Sequence, residues 1–267
     1  MTDYTLRVIV FFAVFAALIV WQWRSPRSTL QKWRYRWRHN LLLFSSGVLV
    51  VRVAQPMLLS LVAYSYNEGL LTYIDLPSTI SLIIGIVLLD VAIYWQHRVF
   101  HTVPLLWRLH RVHHTDPELD ISSAVRFHPL EILLSLCIKS AVIIVLGIPA
   151  LSVLLFDILL NAASLFNHTN ARLPKKMEKI VRLIIVTPDH HRIHHSRDIN
   201  EANSNYAFFL SIWDKIFNSY THSAKQGDLQ IAIGLPQTKQ YEPKGILSLF
   251  TMPFWTHSRT TKEVKGD

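Results

Sequence analysis

Long apolar runs constrain this chain more than any other feature, because about 20 such residues cross a hydrocarbon core only as a helix that satisfies its own backbone groups. Residues 6–23 form one run, ending in Trp21 and Trp23, whose rings suit a membrane interface. Residues 41–66 form a second, interrupted by Arg52 and Pro56, and residues 78–95 a third, which carries Asp90. Residues 129–166 are apolar but broken by Gly147, Ile148 and Pro149, the pattern of two shorter helices joined by a tight turn that enter and leave on one side. Hydrophobic residues make up 51% of the 267 and charged ones 17%, with a mean hydropathy of +0.26, outside the range of a soluble domain. The expected fold is all-α, a multi-span transmembrane helix bundle. A signal peptide is the competing reading of the first run, but no small-residue cleavage site follows it and the next segment, 24–38, is basic and rich in tryptophan.

Charge then orients the bundle. The chain has 27 Lys and Arg against 18 Asp and Glu, a net charge of +9. Arg24, Arg27, Lys32, Arg34, Arg36 and Arg38 crowd the first connection, whereas the second, 67–77, holds Glu68 and Asp75 and no cation. The excess therefore reads as membrane orientation and not as nucleic-acid binding: the first connection is cytoplasmic, the amino terminus outside, and the chain after the third run cytoplasmic again. Residues 171–267 are more polar, punctuated by Pro174, Pro188, Pro236, Pro243 and Pro253, and read as a cytoplasmic helical cap, with the apolar stripe 206–217 packed on the bundle or at the interface. Residues 1–77 thus hold two spans and the basic loop. The single cysteine, Cys137, lies in an apolar run, so no intramolecular disulfide forms. No nucleotide-binding glycine motif or internal repeat is present.

Fourteen histidines are the compositional anomaly. His97 and His101 are four apart at the end of the third helix and share a face. His110, His113 and His114 form H-x-x-H-H, where the adjacent pair diverges by about 100° and can serve two ions. His191, His194 and His195 repeat that pattern after Pro188, with His190 beside them, and His168 ends the hairpin. All fall on one side of the bilayer in this topology. Nine imidazoles exceed a tetrahedral zinc site and match two metals with four or five ligands each. Neutral rings leave the ions' charge uncompensated, so carboxylates should offset it or orient the rings. Asp90, Asp116, Glu131, Asp189 and Asp198 are candidates, with Asp90 two turns before His97 on the same face. His128, before Pro129, orients the hairpin entry or binds metal. His39, His222 and His257 stand alone and are expected at the surface.

At these residues the sequence resembles the fatty acid hydroxylase superfamily, in particular its sterol desaturase-like bacterial members. The resemblance rests on Asp90-x-x-x-Tyr94-Trp95-x-His97-Arg98-x-x-His101, Leu109-His110-Arg111-Val112-His113-His114, Arg126-x-His128-Pro129 and Thr187-Pro188-x-x-His191-x-x-His194-His195, and extends through Trp213-Asp214-Lys215-Ile216-Phe217. It implies a catalytic domain over 78–220, between the two-span region 1–77 and a tail at 221–267, in a bacterial inner (plasma) membrane enzyme with two iron ions that uses O2 to hydroxylate or desaturate an acyl chain, a sterol or an ether lipid. It carries the ligand role to His97, His101, His110, His113, His114, His191, His194 and His195, and to His168. The family's fatty acid hydroxylase branch has one further histidine four residues before the last, where this chain has Ser164; Asn167, Asn170 and His190 are the side chains placed to compensate. Such chemistry also needs a lipid held in a dry pocket and two electrons. With no flavin, haem or iron–sulfur motif in the chain, those electrons are expected from a separate ferredoxin, cytochrome or reductase.

Rival readings are a metal-dependent membrane hydrolase, which lacks H-E-x-x-H and its glutamate base here, and a metal transporter, whose ligands would line a path through mid-membrane. A bis-histidine haem protein would leave most of the rings unexplained.

Overall fold

The computed structural model describes residues 2–65, 69–227, 231–235 and 245–255; His257, Pro236, Pro243, Tyr66, Asn67 and Glu68 lie outside them. The described residues are helical apart from loops and three isolated bridges. Five helices are long and apolar enough to cross a membrane: α1 (Asp3–Arg24), α2 (Trp33–Ser65), α3 (Ser78–Thr102), α5 (Pro129–Leu146) and α6 (Ala150–His168). Between them α4 (Pro104–His114) follows α3 after a single residue. The cap adds the short helices α7 (Lys175–Val181), α8 (Pro188–His194), α9 (Ile199–Ala202), α10 (Ile212–Ile216) and α11 (Ile246–Thr251).

Local chemistry sets the ends that matter for the site. Pro129 begins α5, where its missing N–H costs nothing, and the His128 ring caps that helix by accepting from Leu130 N–H at 3.1 Å. Gly147 ends α5 at φ 64, a left-handed position that suits glycine. It also lies against Gly69 so tightly that a Cβ on Gly69 would strike its backbone. The α5–α6 turn therefore reaches the α2–α3 connection, and the hairpin extends to the far end of the bundle. Thr187 caps α8 and Pro188 opens it, which aims the last histidine cluster at the bundle.

Packing divides by level. Leu89, Ile93, Ile143, Ile148 and Phe156 form an apolar core among α3, α5 and α6. Phe11, Phe15 and Leu18 of α1, with Trp37 and Phe44 of α2, close over Leu165 and the 3-10 turn Ile121–Val125. Leu43, Val112, Leu249 and Met252 fasten α11 beside α4.

Two basic residues of the first connection act as ties between regions. Arg27 pairs with Asp189 at the start of α8. Arg36 is 5% exposed and bonds both oxygens of Asp116 at 2.5 and 3.0 Å, Asp120 at 2.7 Å and the Glu118 carbonyl at 2.7 Å. Arg126 extends the network to the Asn40 side chain, the Val112 carbonyl and Thr115, each within 2.9 Å. His39, expected at the surface, is 6% exposed and bonds the Tyr35 carbonyl, because α2 begins eight residues before the apolar run and draws its first turns into the cap.

Candidate metal centre

Helix geometry collects the nine histidines from four elements. His97 and His101 lie one turn apart on α3, His110, His113 and His114 on α4, and His168 ends α6, while His191 and His194 lie on α8 with His195 as its C-cap. None exposes more than 2% of its surface. They divide into His97, His101, His110, His114 and His194 in one group and His113, His168, His191 and His195 in the other, with the ligand atoms of each group within 4.8 Å of one another. The chain neighbours His113/His114 and His194/His195 fall in opposite groups, as their 100° divergence dictates. Across the divide the His114 and His195 rings stack with centroids 4.3 Å apart.

Hydrogen bonds determine which nitrogens are free. Nδ1 of His97 bonds the Tyr206 carbonyl at 2.6 Å, Nδ1 of His194 the Ser204 carbonyl at 2.8 Å, and Nδ1 of His168 the Ser164 carbonyl at 2.8 Å. A carbonyl only accepts, so each Nδ1 carries the proton and each Nε2 a lone pair. His110 Nδ1 donates in the same way to the Glu131 carboxyl at 2.6 Å. Nε2 of His97 and Nε2 of His110 then face each other as lone pairs 3.0 Å apart, a repulsive contact that a shared cation relieves. Buried Nε2 atoms of His114 and His194 have no hydrogen-bond partner among the described residues. In the second group the Nε2 atoms of His113, His168, His191 and His195 follow one another at 3.1, 3.1 and 3.2 Å. Metal–imidazole bonds of about 2.1 Å set at right angles separate their nitrogens by about 3.0 Å, so both groups fit an ion. Burial and the crowding of like rings push His113, His114, His191, His194 and His195 far below the usual imidazole value, and burial takes His110 down to about 3. Neutral imidazole is the form that ligates metal.

Aromatic rings wall the groups. Phe127 stacks on His113 at 4.4 Å, and Phe208 lies 4.7 Å from His97 and 6.1 Å from His191, touching one ring of each group. Phe208 also packs against the apolar core among α3, α5 and α6, so that core leads directly to the histidines.

The remaining candidate residues lie outside both groups. Asp90 touches no ligand ring: its Oδ2 accepts from Leu210 N–H at 3.1 Å and the Trp213 indole at 2.7 Å. Two helical turns place it about 10 Å along the axis from His97, farther than a carboxyl group reaches. His128, besides capping α5, bonds the Phe250 carbonyl. Asn170 bonds the Ser28 carbonyl at 2.7 Å and hydroxyl at 3.1 Å, which fixes the first connection to the end of α6. Asp189 is taken by Arg27. His190 faces away from the groups, its Nε2 3.9 Å from Asp214 and its ring beside Tyr220. Asn167 bonds the Phe208 carbonyl at 2.7 Å, and Ser164 offers only its carbonyl to His168. Asp198 caps α9 and pairs with Lys225 near the surface. Among the five acidic candidates only Glu131 touches a ligand ring. Arg36, Asn40 and Arg126 brace the segment after His114; Arg36 entered the sequence reading only as an orienting charge and Arg126 only within the Arg126-x-His128-Pro129 motif, while Asn40 escaped it although it stands i, i+4 from Arg36 at the polar start of α2.

Comparison with known proteins gives a match to the family profile described as fatty acid hydroxylase over residues 82–219. The chain is 28% identical over 222 residues to the ornithine lipid hydroxylase OlsE of Rhizobium tropici, covering 83% of this chain and 62% of that protein. It is 33% identical over 132 residues to the alkylglycerol monooxygenase of Homo sapiens, covering 49% and 28%, and 32% identical over 179 residues to that of Danio rerio, covering 66% and 39%. The chain thus matches less than two thirds of the length of each of these relatives. No solved structure matches it.

Proposed function

Because this chain belongs to the fatty acid hydroxylase family, we propose that it is a multi-pass membrane oxygenase that hydroxylates or desaturates a lipid, using two iron ions, O2 and electrons from a separate donor. The observation that carries the proposal is the set of nine buried, neutral imidazoles in groups of five and four, with lone pairs turned toward each other. His97, His101, His110, His114 and His194 would hold one ion and His113, His168, His191 and His195 the other. Iron bound there supplies the oxygen activation and C–H oxidation that no side chain performs.

The chain's own residues prepare that chemistry. Glu131 and the carbonyls of Tyr206, Ser204 and Ser164 fix the ring orientations, so the ligand nitrogens need no rearrangement. Burial of all nine rings excludes bulk water. Phe208, packed on the bundle core, presents an apolar approach to the groups, and Phe127 adds an apolar wall at His113, which suits an aliphatic chain. The names of the relatives direct the search for substrate toward ornithine lipids and alkylglycerols. The positive-inside bias of the basic first connection supports a centre on the cytoplasmic side, and its exposed Lys32, Arg34 and Arg38 suit an acidic ferredoxin, cytochrome or reductase.

The test is metal analysis of the purified protein with lipid turnover measured against O2 and reductant, alongside lipid profiles of a strain lacking the chain. Iron with oxygen-dependent loss of one lipid and gain of its oxidised partner is expected. Iron without an oxygen-dependent product would overturn the proposal. Zinc alone in a purified sample would call for iron reconstitution first, because zinc outcompetes ferrous iron at imidazole sites.

A further inference from the structure

The cap carries an apolar edge that its own packing does not bury. Met177, Ile180, Leu183 and Ile184 are 51 to 64% exposed, and Ile212 and Ile216 of α10 are 45% and 55% exposed. The two parts of the edge are tied together: Ile185 bridges Leu210, Ser211 N–H donates to the Ile184 carbonyl at 3.1 Å and Val186 N–H to that of Phe209 at 2.9 Å.

Its depth follows from α3. Leu210 and Trp213 both bond Asp90, which lies about 10 Å from His97 toward the middle of a helix long and apolar enough to span a membrane. The edge therefore flanks the apolar length of that helix. Charge is arranged to match: Lys175, Lys176 and Lys179 of α7 and Lys215 of α10 are exposed, whereas the acids nearest them turn inward. Glu178 bonds Arg182 at 2.7 Å and Thr187 at 2.5 Å, and Asp214 accepts from Tyr206 and Ala207 N–H at 2.7 and 3.1 Å. Lysines with long apolar stems beside an isoleucine-rich face are the composition of an interfacial membrane contact.

We propose that this edge is embedded in the adjoining phospholipid monolayer, with Leu183, Ile184, Ile212 and Ile216 among acyl chains and the four lysines on anionic headgroups. The part of the cap around Asp90 is then a membrane-inserted element that shields an acidic side chain of α3 from lipid. The inference rests on the bundle crossing a bilayer and is independent of the catalytic reading.

The experiment uses the full chain with Cys137 replaced by serine and one cysteine introduced at a time as Ile184→Cys, Ile212→Cys or Ile83→Cys, each labelled with an environment-sensitive fluorophore. Ile83 is a lipid-facing control on α3, 55% exposed. Proteins are reconstituted in nanodiscs of phosphatidylcholine with and without phosphatidylglycerol, plus lipids bearing a spin label on the acyl chain. Labels at 184 and 212 should shift to the blue and lose emission to the spin-labelled lipid as the 83 label does. That loss should grow with the phosphatidylglycerol fraction, and the dependence should vanish when Lys175, Lys176, Lys179 and Lys215 are all changed to glutamine. Quenching at 83 but not at 184 and 212, with those labels open to aqueous iodide, would overturn the inference while leaving the spanning bundle intact. Labels shielded from both quenchers would mean that a protein partner or a second copy covers the edge, and would overturn it as well. Quenching independent of phosphatidylglycerol would refute the anionic headgroup contact.

Discussion

Replacing Glu131 by alanine removes the carboxyl acceptor on the His110 ring and leaves the backbone supports of His97, His168 and His194 in place. In the native chain its Oε1 holds the His110 Nδ1–H at 2.6 Å inside a site that water does not reach. An ion on the far side of that ring favours the ionised carboxyl group and strengthens the bond. Hydrogen bonds to charged groups contribute about 1.5 to 3 kcal/mol, which is roughly ten- to hundredfold in affinity at about 1.4 kcal/mol per decade, the range seen when residues that hold ligand rings are removed. Glu131→Ala should therefore lower iron affinity in the five-histidine group by that factor, with turnover falling in parallel. Glu131→Gln keeps a neutral acceptor of about half the strength and should lose about tenfold or less. Iron titration of the apoprotein, read by bound metal and by oxygen-dependent turnover, measures both. His128→Ala is the control, since His128 lies three residues away and touches no ligand: it should cost about 1 kcal/mol as a lost helix cap and leave metal affinity unchanged. A Glu131→Ala protein that binds iron and turns over within about twofold of the parent would show that His110 is oriented without its carboxyl partner.

His113→Ala and His194→Ala should each lose metal and activity, one from each group, while His222→Ala, at an exposed residue, should lose neither; equal activity in all three would end the assignment. Arg36→Met strands the buried Asp116 and Asp120 and should destabilise the fold by about 3 to 5 kcal/mol, read as a lower midpoint of thermal unfolding in detergent. Burial alone would raise Asp116, but the Arg36 and Arg126 charges prevail and hold it at about 2. Because this value is depressed, its contribution of about 2 kcal/mol is present above about pH 4 and lost as the pH falls toward 2, so acid unfolding of the parent should be steepest there and Arg36→Met should unfold at higher pH. Asp90→Ala should lower thermal stability by about 1 to 3 kcal/mol by leaving the Trp213 indole and Leu210 N–H without an acceptor, with bound metal retained; loss of metal equal to that of His194→Ala would place Asp90 in direct support of the ligands.

Apolar length and histidine spacing were legible because both are local. A helix turns by a fixed angle, so i, i+3 and i+4 positions declare a common face before any tertiary contact is known. Carboxylate roles were not legible, because a partner is chosen by the packing of distant elements. Asp90 shares the face of His97 yet meets Trp213, 123 residues away, in a segment the sequence assigned to core or interface. Asp189 adjoins a histidine cluster yet is claimed by Arg27 from the first connection. The positive loop illustrates the same limit: charge counting treated Arg27 and Arg36 as orientation signals, and both are committed to internal pairs. Ser164 was legible as a departure from the fatty acid hydroxylase pattern, and the two groups it left open are of unequal size, five rings and four.

The alternation of neighbours between the two groups has a mechanical consequence. On α4 and again across the end of α8, consecutive residues feed opposite groups, so neither segment can rotate to improve one set of bonds without spoiling the other. The gap between two ions held by these groups would thereby be geared to the pitch of a polypeptide helix.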